Sequence, residues 1–410
     1  SSRPRWPRPA GPAAERLSPV SPDMKTPVPA STVVLDPIRR AVSFGARRGL
    51  LRLLCCTLLG GALLGSTVAC NRESSAGQAG ATSAPRKVRI TTTNVPANGK
   101  LVFTGLTALV VNQGWLAKKL AERGAEIEWV PISGSATGPL INEGFANRSI
   151  DIASYGDLPS IIANAAGIRT QLIVPNGRGS ETYLVVPNGS TARSILDLKG
   201  KRIAIHRGRP WELPLSRLID SVGLTYDDFQ ILNLNPEAGA SALVAGKVDA
   251  LVTINAHLLA QKNAGQIIWS TAQAPADWKM RAELWASRDF VRQNPELTQL
   301  VATAYVRAEH WAAQLENRPA MLEVLNRSGL PKEVLEREYG DGEEWKNRWS
   351  PLFDAPVVAH YRHAIDYALD KKIIRNKFPV EEIYDERFSR TALRELGIEG
   401  FWSPATTPEG

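Results

Sequence analysis

From Lys87 onward, short apolar runs alternate with amphipathic stretches about ten to fifteen residues long, and this alternation restricts the chain to an α/β architecture. Strands are predicted at 88–92, 125–131, 150–154 and 168–174, with helices at 108–123, 138–147 and 158–166 between them. A second series begins at 183–186 and runs through 202–205, 213–222, 229–234, 238–245 and 250–254. Beyond Arg288 the pattern turns helical, at 295–314, 321–328, 357–371 and 380–388. Strands separated by helices of this length pair in parallel, so each series predicts a parallel sheet. The 410 residues suit two lobes of about 100–200 residues each.

A recurring pattern supports two similar lobes. Ile141 to Ala153 and Ser241 to Leu251 both read as a helix end, a turn with a basic residue, a β-branched residue, an aspartate and an apolar strand. The aspartates, Asp151 and Asp249, stand 98 positions apart, too far for a solenoid repeat. Their expected work is to hold backbone N–H groups at the strand start.

The net charge of +8 invites a nucleic-acid partner, but its distribution argues against one. Residues 1–69 hold ten Lys/Arg and three acids, a net +7, which leaves +1 for the rest. Residues 1–45 read as disordered, or as a translated upstream stretch with the start at Met24 or later. Arg47, Arg48 and Arg52 then precede an apolar run from Leu53 to Val68 and the small residues before Cys70, the order of a secretory signal. The paired arginines resemble a twin-arginine export motif, and ordinary secretion is the alternative. Thr67-Val68-Ala69-Cys70 resembles a lipobox, which implies cleavage before a lipidated Cys70. Cys55 and Cys56 lie in the apolar run, so cleavage leaves Cys70 as the one cysteine and no internal disulfide. An uncleaved anchor is the other reading. Either way the expected place is extracytoplasmic and membrane-tethered, with a leader over 1–70 and a linker over 71–85.

In open α/β sheets ligands bind beyond the carboxyl ends of strands, against helix N-termini. Three loops hold that position: Ser133-Gly134-Ser135-Ala136-Thr137-Gly138-Pro139, Tyr155-Gly156-Asp157-Leu158-Pro159 and His206-Arg207-Gly208-Arg209-Pro210-Trp211. Small residues admit a ligand to backbone N–H groups, and a helix N-terminus carries about half a positive charge. Three such tips on one cleft favour a small anion, with Arg178, Arg207 and Arg209 adding charge.

Trp129 to Gly134, Asp151 to Pro159, Leu196 to Ala204, Gly246 to Ala250 and Asn294-Pro295-Glu296 resemble the periplasmic solute-binding proteins for sulfonates, taurine and nitrate, a group that includes binders of thiamine pyrimidine precursors. The resemblance implies a type II periplasmic binding fold: two lobes, 86–178 with 282–410 and 179–281, joined by two crossovers around a ligand cleft, with a helical tail. It also implies an ABC transporter permease and ATPase as partners, a monomer and a small anionic solute. Carried over by position, ligand contacts fall on Ser133, Gly134 and Ser135, on Tyr155, Gly156, Asp157 and Leu158, on Gly208, Arg209 and Trp211, and on Asn255 and His257. The chain departs from the family at Thr253 to His257, where an aromatic residue and a proline are common, and at Arg207 to Trp211.

The sequence holds no Gly-x-Gly-x-x-Gly after a strand, no Walker loop, no Gly-x-Ser-x-Gly elbow and no cysteine pair for zinc. His360 and His363 lie three apart on a predicted helix with no third ligand in view, so no metal or cofactor is expected. A receptor that binds without catalysis is the preferred reading. An enzyme of the same fold acting on a pyrimidine or pyridoxal compound and a signalling receptor are the alternatives.

Overall fold

The structure, a computed structural model, describes residues 86–406 apart from 94, 98, 99, 133–136 and 341. The expected leader, Cys70, Ser133, Gly134 and Ser135 lie outside the described residues.

The chain opens with β1 (Arg86–Thr93), a hairpin of β2 (Val95–Ala97) and β3 (Lys100–Val102), then α1 (Gly105–Gln113) and α2 (Trp115–Ala121). It continues through β4 (Ala125–Ile132), α3 (Thr137–Ala146), β5 (Ile152–Gly156), α4 (Asp157–Ala165) and β6 (Thr170–Val174). A second run holds β7 (Tyr183–Val186), β8 (Arg202–Ile205), α5 (Glu212–Ser221), β9 (Gln230–Asn233), α6 (Pro236–Val244), β10 (Ala250–Thr253), α7 (Ala256–Gln261) and β11 (Gln266–Ser270). Then β12 (Ala282–Ser287) leads into α8 (Arg288–Gln293), α9 (Pro295–Ala313), α10 (Arg318–Asn326), α11 (Lys332–Tyr339), α12 (Gly342–Asn347), α13 (Ala355–Asp370) and α14 (Arg387–Leu396).

One sheet has the order β4-β1-β5-β12-β6 and the other β11-β7-β10-β8-β9. The sheets are mixed, which corrects the expectation of purely parallel ones. β4, β1 and β5 run in parallel, as do β10, β8 and β9, but β12 is antiparallel to β5 and β6, and β7 to β10 and β11. The cause is the chain path. Residues 175–182 carry the chain from the first sheet to the second, and 271–281 carry it back. A strand that begins at the crossover edge must run against those that end there. The two crossovers touch each other through Ser180 N–H, which donates to the Met280 carbonyl at 2.9 Å.

Period-two burial gives the first sheet two apolar faces. Val88, Ile90, Ile152 and Leu284 join α1 and α9 residues such as Leu109, Val301 and Tyr305 on one side. On the other, Ala153, Tyr155 and Trp285 meet Tyr361 and Ile365 of α13. The predicted helix over 108–123 starts earlier and is divided at Gly114, whose φ of 62° caps α1 and re-aims the chain into α2.

The repeated aspartates are a matched pair of fixtures. Asp151 Oδ2 accepts from the Arg89 backbone N–H and side-chain Nε, both at 2.9 Å. Asp249 Oδ2 accepts from the same two groups of Arg202 at 2.9 and 3.0 Å. The Arg202 bonds hold the Asp249 carboxyl below its ordinary pKa. Each aspartate thus locks the turn before its own strand to the neighbouring strand, Asp151 to β1 and Asp249 to β8.

Candidate functional site

The tips of α1, α3 and α4 follow β1, β4 and β5 at the carboxyl edge of the first sheet, and those of α5 and α7 follow β8 and β10 in the second. Contacts between loops show that tips from the two sheets meet. A Cβ placed on Gly156 would lie 2.2 Å from Pro210 Cγ, so the proline ring rests against the Gly156 backbone. A Cβ on Gly138, in the first turn of α3, would lie 3.2 Å from Pro159 Cγ and 3.6 Å from an Arg209 guanidinium nitrogen. The Arg209 guanidinium therefore reaches from the second lobe to the tip of α3, beside the start of α4. It also lies 5.2 Å over the Trp211 ring, and burial lowers its pKa from the ordinary arginine value. A partly desolvated cation thus lies against two helix tips, a combination that favours an anion.

A cavity of about 180 Å³ opens at the first turn of α1, lined by Thr92, Gly105, Thr107, Ser154, Asn176 and Glu309 among others. The N–H groups of Gly105, Leu106 and Thr107 precede the first intrahelical bond, from Ala108 N–H to Thr104 O at 3.2 Å. Thr107 Oγ1 and Tyr305 Oη are 3.0 Å apart and fix this turn on α9. Burial pushes the Tyr305 hydroxyl up to about 12. Ser154 sits two residues before Gly156, so β5 serves both the cavity and the loop contact. The loop before α1 was not among the sequence candidates, because placing the helix start at residue 108 hid Thr104-Gly105 from the rule that picked the other loops. Glu309 carries no local signal at all: within an amphipathic helix it reads as a solvated acid.

Several sequence candidates turn out to serve the framework. Tyr155 packs in the core with Phe145 and Trp285 at centroid distances of 5.7 and 5.9 Å, and burial raises its hydroxyl pKa. Asp157 is fully buried; its carboxylate accepts from Leu158 N–H at 2.6 Å, Arg281 N–H at 2.9 Å and lies 2.9 Å from His360 Nε2. Leu158 is buried beside it. Gly208 takes φ 72°, and its N–H donates to Glu212, which also pairs with Arg207. Trp211 lies in the second lobe's core with Nε1 donating to the His206 carbonyl at 3.1 Å. Arg207 is further held over the Tyr226 ring, and Arg178 donates to the Ser403 carbonyl, which gives both arginines structural partners.

Asn255 is the residue before α7, and His257 in its first turn stacks edge-on with Tyr183 at 5.1 Å. The His257 Nε2 stands 3.8 Å from Glu338 of α11, and burial lowers the imidazole pKa. Among the described residues no group of three His, Cys, Asp or Glu side chains is arranged to hold a metal.

Three comparisons place this geometry among known proteins. The profile of the NMT1/THI5 like family matches residues 123–317. A solved structure from Methylobacillus flagellatus KT, described as a candidate sulfonate ABC transporter periplasmic sulfonate-binding protein, SsuA, shares 45% identity and covers 80% of this chain and 99% of its own, with a TM-score of 0.72. A candidate aliphatic sulfonates-binding protein of Bacillus subtilis (strain 168) is 25% identical over 290 residues, 70% of this chain and 85% of that one. The Escherichia coli periplasmic aliphatic sulphonate binding protein SsuA shares the fold, with 20% identity, a TM-score of 0.58 and coverage of 80% of this chain and 94% of its own.

Proposed function

Since the chain belongs to the family of periplasmic sulfonate-binding proteins of ABC transporters, we propose that it is the extracytoplasmic receptor of an importer, and that it grips a small sulfonate-class anion between its lobes. The observation that carries this reading is the meeting of Gly138 and Gly156 with Arg209 and Pro210, which brings helix tips of one lobe against a cation of the other. A tetrahedral oxyanion spreads its charge over three oxygens, and N–H groups at helix tips answer it without a bound counter-ion.

Capture needs no reactive group. It needs an open and a closed arrangement, with more solute contacts in the closed one. The paired crossovers at 175–182 and 271–281 supply the hinge in this reading, and the closed form is what the transporter permease recognises, with hydrolysis left to the ATPase. We further place the domain boundaries at these crossovers and the tether at a lipidated Cys70. Ligand contacts are assigned to the loop 133–135, Gly156, Arg209 and the first turn of α1, whereas Tyr155, Asp157, Leu158, Gly208 and Trp211 shape the walls.

A thermal-shift screen with short alkanesulfonates, nitrate, bicarbonate and hydroxymethylpyrimidine tests the reading. Ethanesulfonate at 100 times its Kd raises stability by about 2.7 kcal/mol. Arg209→Ala weakens ethanesulfonate at least about tenfold, the loss expected for one charge-assisted contact. Stabilisation by the pyrimidine and by none of the anions contradicts it.

A further inference from the structure

The first turn of α1 and a buried acid of α9 line one cavity, and each has hydrogen-bonding capacity left over. Thr104 stands at the N-cap of α1, but its side chain caps none of the N–H groups that open the helix. Glu309 is 1% exposed, and its Oε2 has no hydrogen-bond partner among the described residues. A buried polar atom left without a partner is costly, and on a cavity wall it marks where a ligand would complete it. The neighbouring acid shows the contrast. Glu283 of β12 is fully buried too, but its Oε1 accepts from Arg281 Nε at 2.5 Å and its Oε2 from the Asn176 N–H.

The charge around Glu309 decides which chemistry it can offer. Glu283 of β12 adds negative potential, and the Tyr305 hydroxyl stands one turn back on the same face of α9. Thr92 of β1, Ser154 of β5, Thr107 of α1 and Asn176 contribute uncharged dipoles, and among the described residues no Lys, Arg or His lines the cavity. An ionised Glu309 would therefore meet an anion at the α1 tip with no cation between them. The neutral acid has an O–H to give instead, and a sulfonate has three oxygens that only accept. Burial, reinforced by Glu283, pushes the Glu309 carboxyl well above the usual range, which favours the form that bears the proton.

Resting on the sulfonate reading above, we propose that Glu309 is a specificity-determining hydrogen-bond donor, which keeps its proton and donates it to an oxygen of the oxyanion held at the α1 tip. The carboxyl O–H joins the backbone N–H groups as a donor, and the solute it suits is an oxyanion that stays ionised and brings acceptors alone. Binding is thereby restricted to the protonated receptor. Where unoccupied Glu309 has lost its proton, the anion must restore it, so binding takes up a proton and weakens as pH rises.

Isothermal titration of ethanesulfonate from about pH 6 to about pH 9, in two buffers of different ionisation enthalpy, tests this. The wild-type affinity is expected to fall as pH rises, towards about tenfold per pH unit, while proton uptake approaches about one. Glu309→Gln keeps an N–H donor and has no proton to lose, so it binds within about threefold of wild type at about pH 6 and loses the pH dependence. Glu309→Leu offers no donor and binds at least about tenfold more weakly than wild type at that pH. Should either variant fail to fold, the wild-type proton count and the sign of its pH dependence decide alone. Wild-type affinity that stays level or rises with pH, proton release on binding, the wild-type slope retained in Glu309→Gln, or wild-type affinity in Glu309→Leu overturns the Glu309 assignment and leaves the sulfonate reading standing. Failure of the wild type and both variants to bind ethanesulfonate at any pH overturns both.

Discussion

Gly156 shows how one residue ties sequence to closure. Its φ of −74° and ψ of 163° suit any L-residue, so backbone conformation does not demand glycine there. The demand comes from across the gap, since the three atoms nearest a Cβ at 156 all belong to Pro210. Gly156→Val is therefore expected to hold the lobes apart. Ethanesulfonate affinity, read by titration calorimetry, drops at least about tenfold, and stability of the unliganded protein changes by less than about 1 kcal/mol. Asp157, its neighbour, illustrates the opposite case. Its partners Arg281 and His360 lie 124 and 203 positions away, and they turn a residue that resembles a ligand contact into a joint between α4, a crossover and α13. Such distant partners leave no trace in local sequence, which is why the role of Asp157 was not legible there.

At the scale of elements, the order of strands and helices was legible because each apolar run is short, regularly spaced and bounded by turn residues. The loops that follow strands were legible for the same reason, and three of them do meet in space. Strand direction was not, because antiparallel β7 and β12 follow from where the chain crosses between sheets. The helices at Lys332–Tyr339 and Gly342–Asn347 were also missed; each is short and rich in charge, so little apolar periodicity marks it. Yet α11 joins the C-terminal helices to the second sheet: the Tyr183 hydroxyl donates to Glu338 Oε2 at 2.8 Å. Burial lifts the Glu338 carboxyl to about 7 against an ordinary value of 4.5. An acid whose folded pKa is raised binds more protons folded than unfolded between those two values, so stability falls as pH rises from 4.5 to 7. Glu338→Gln is expected to remove that decline, which raises stability at pH 8 by up to ~3 kcal/mol and changes it little at pH 4. Thermal melts across pH read this directly; a variant with the wild-type pH slope contradicts it.

For the molecule as a whole, two sheets built on one plan share their fixtures at one edge, Asp151 with Arg89 and Asp249 with Arg202, and their helix tips at the other. The first keeps each sheet rigid; the second leaves N–H donors where the two meet. In this account the solute belongs to neither half alone. Hydrogen–deuterium exchange with and without saturating ethanesulfonate measures this most directly. The amides of the first turns of α1, α3 and α4 and those of residues 208–212 are predicted to gain protection together, in the same titration range. Protection confined to one lobe, or appearing only away from these turns, would contradict the account.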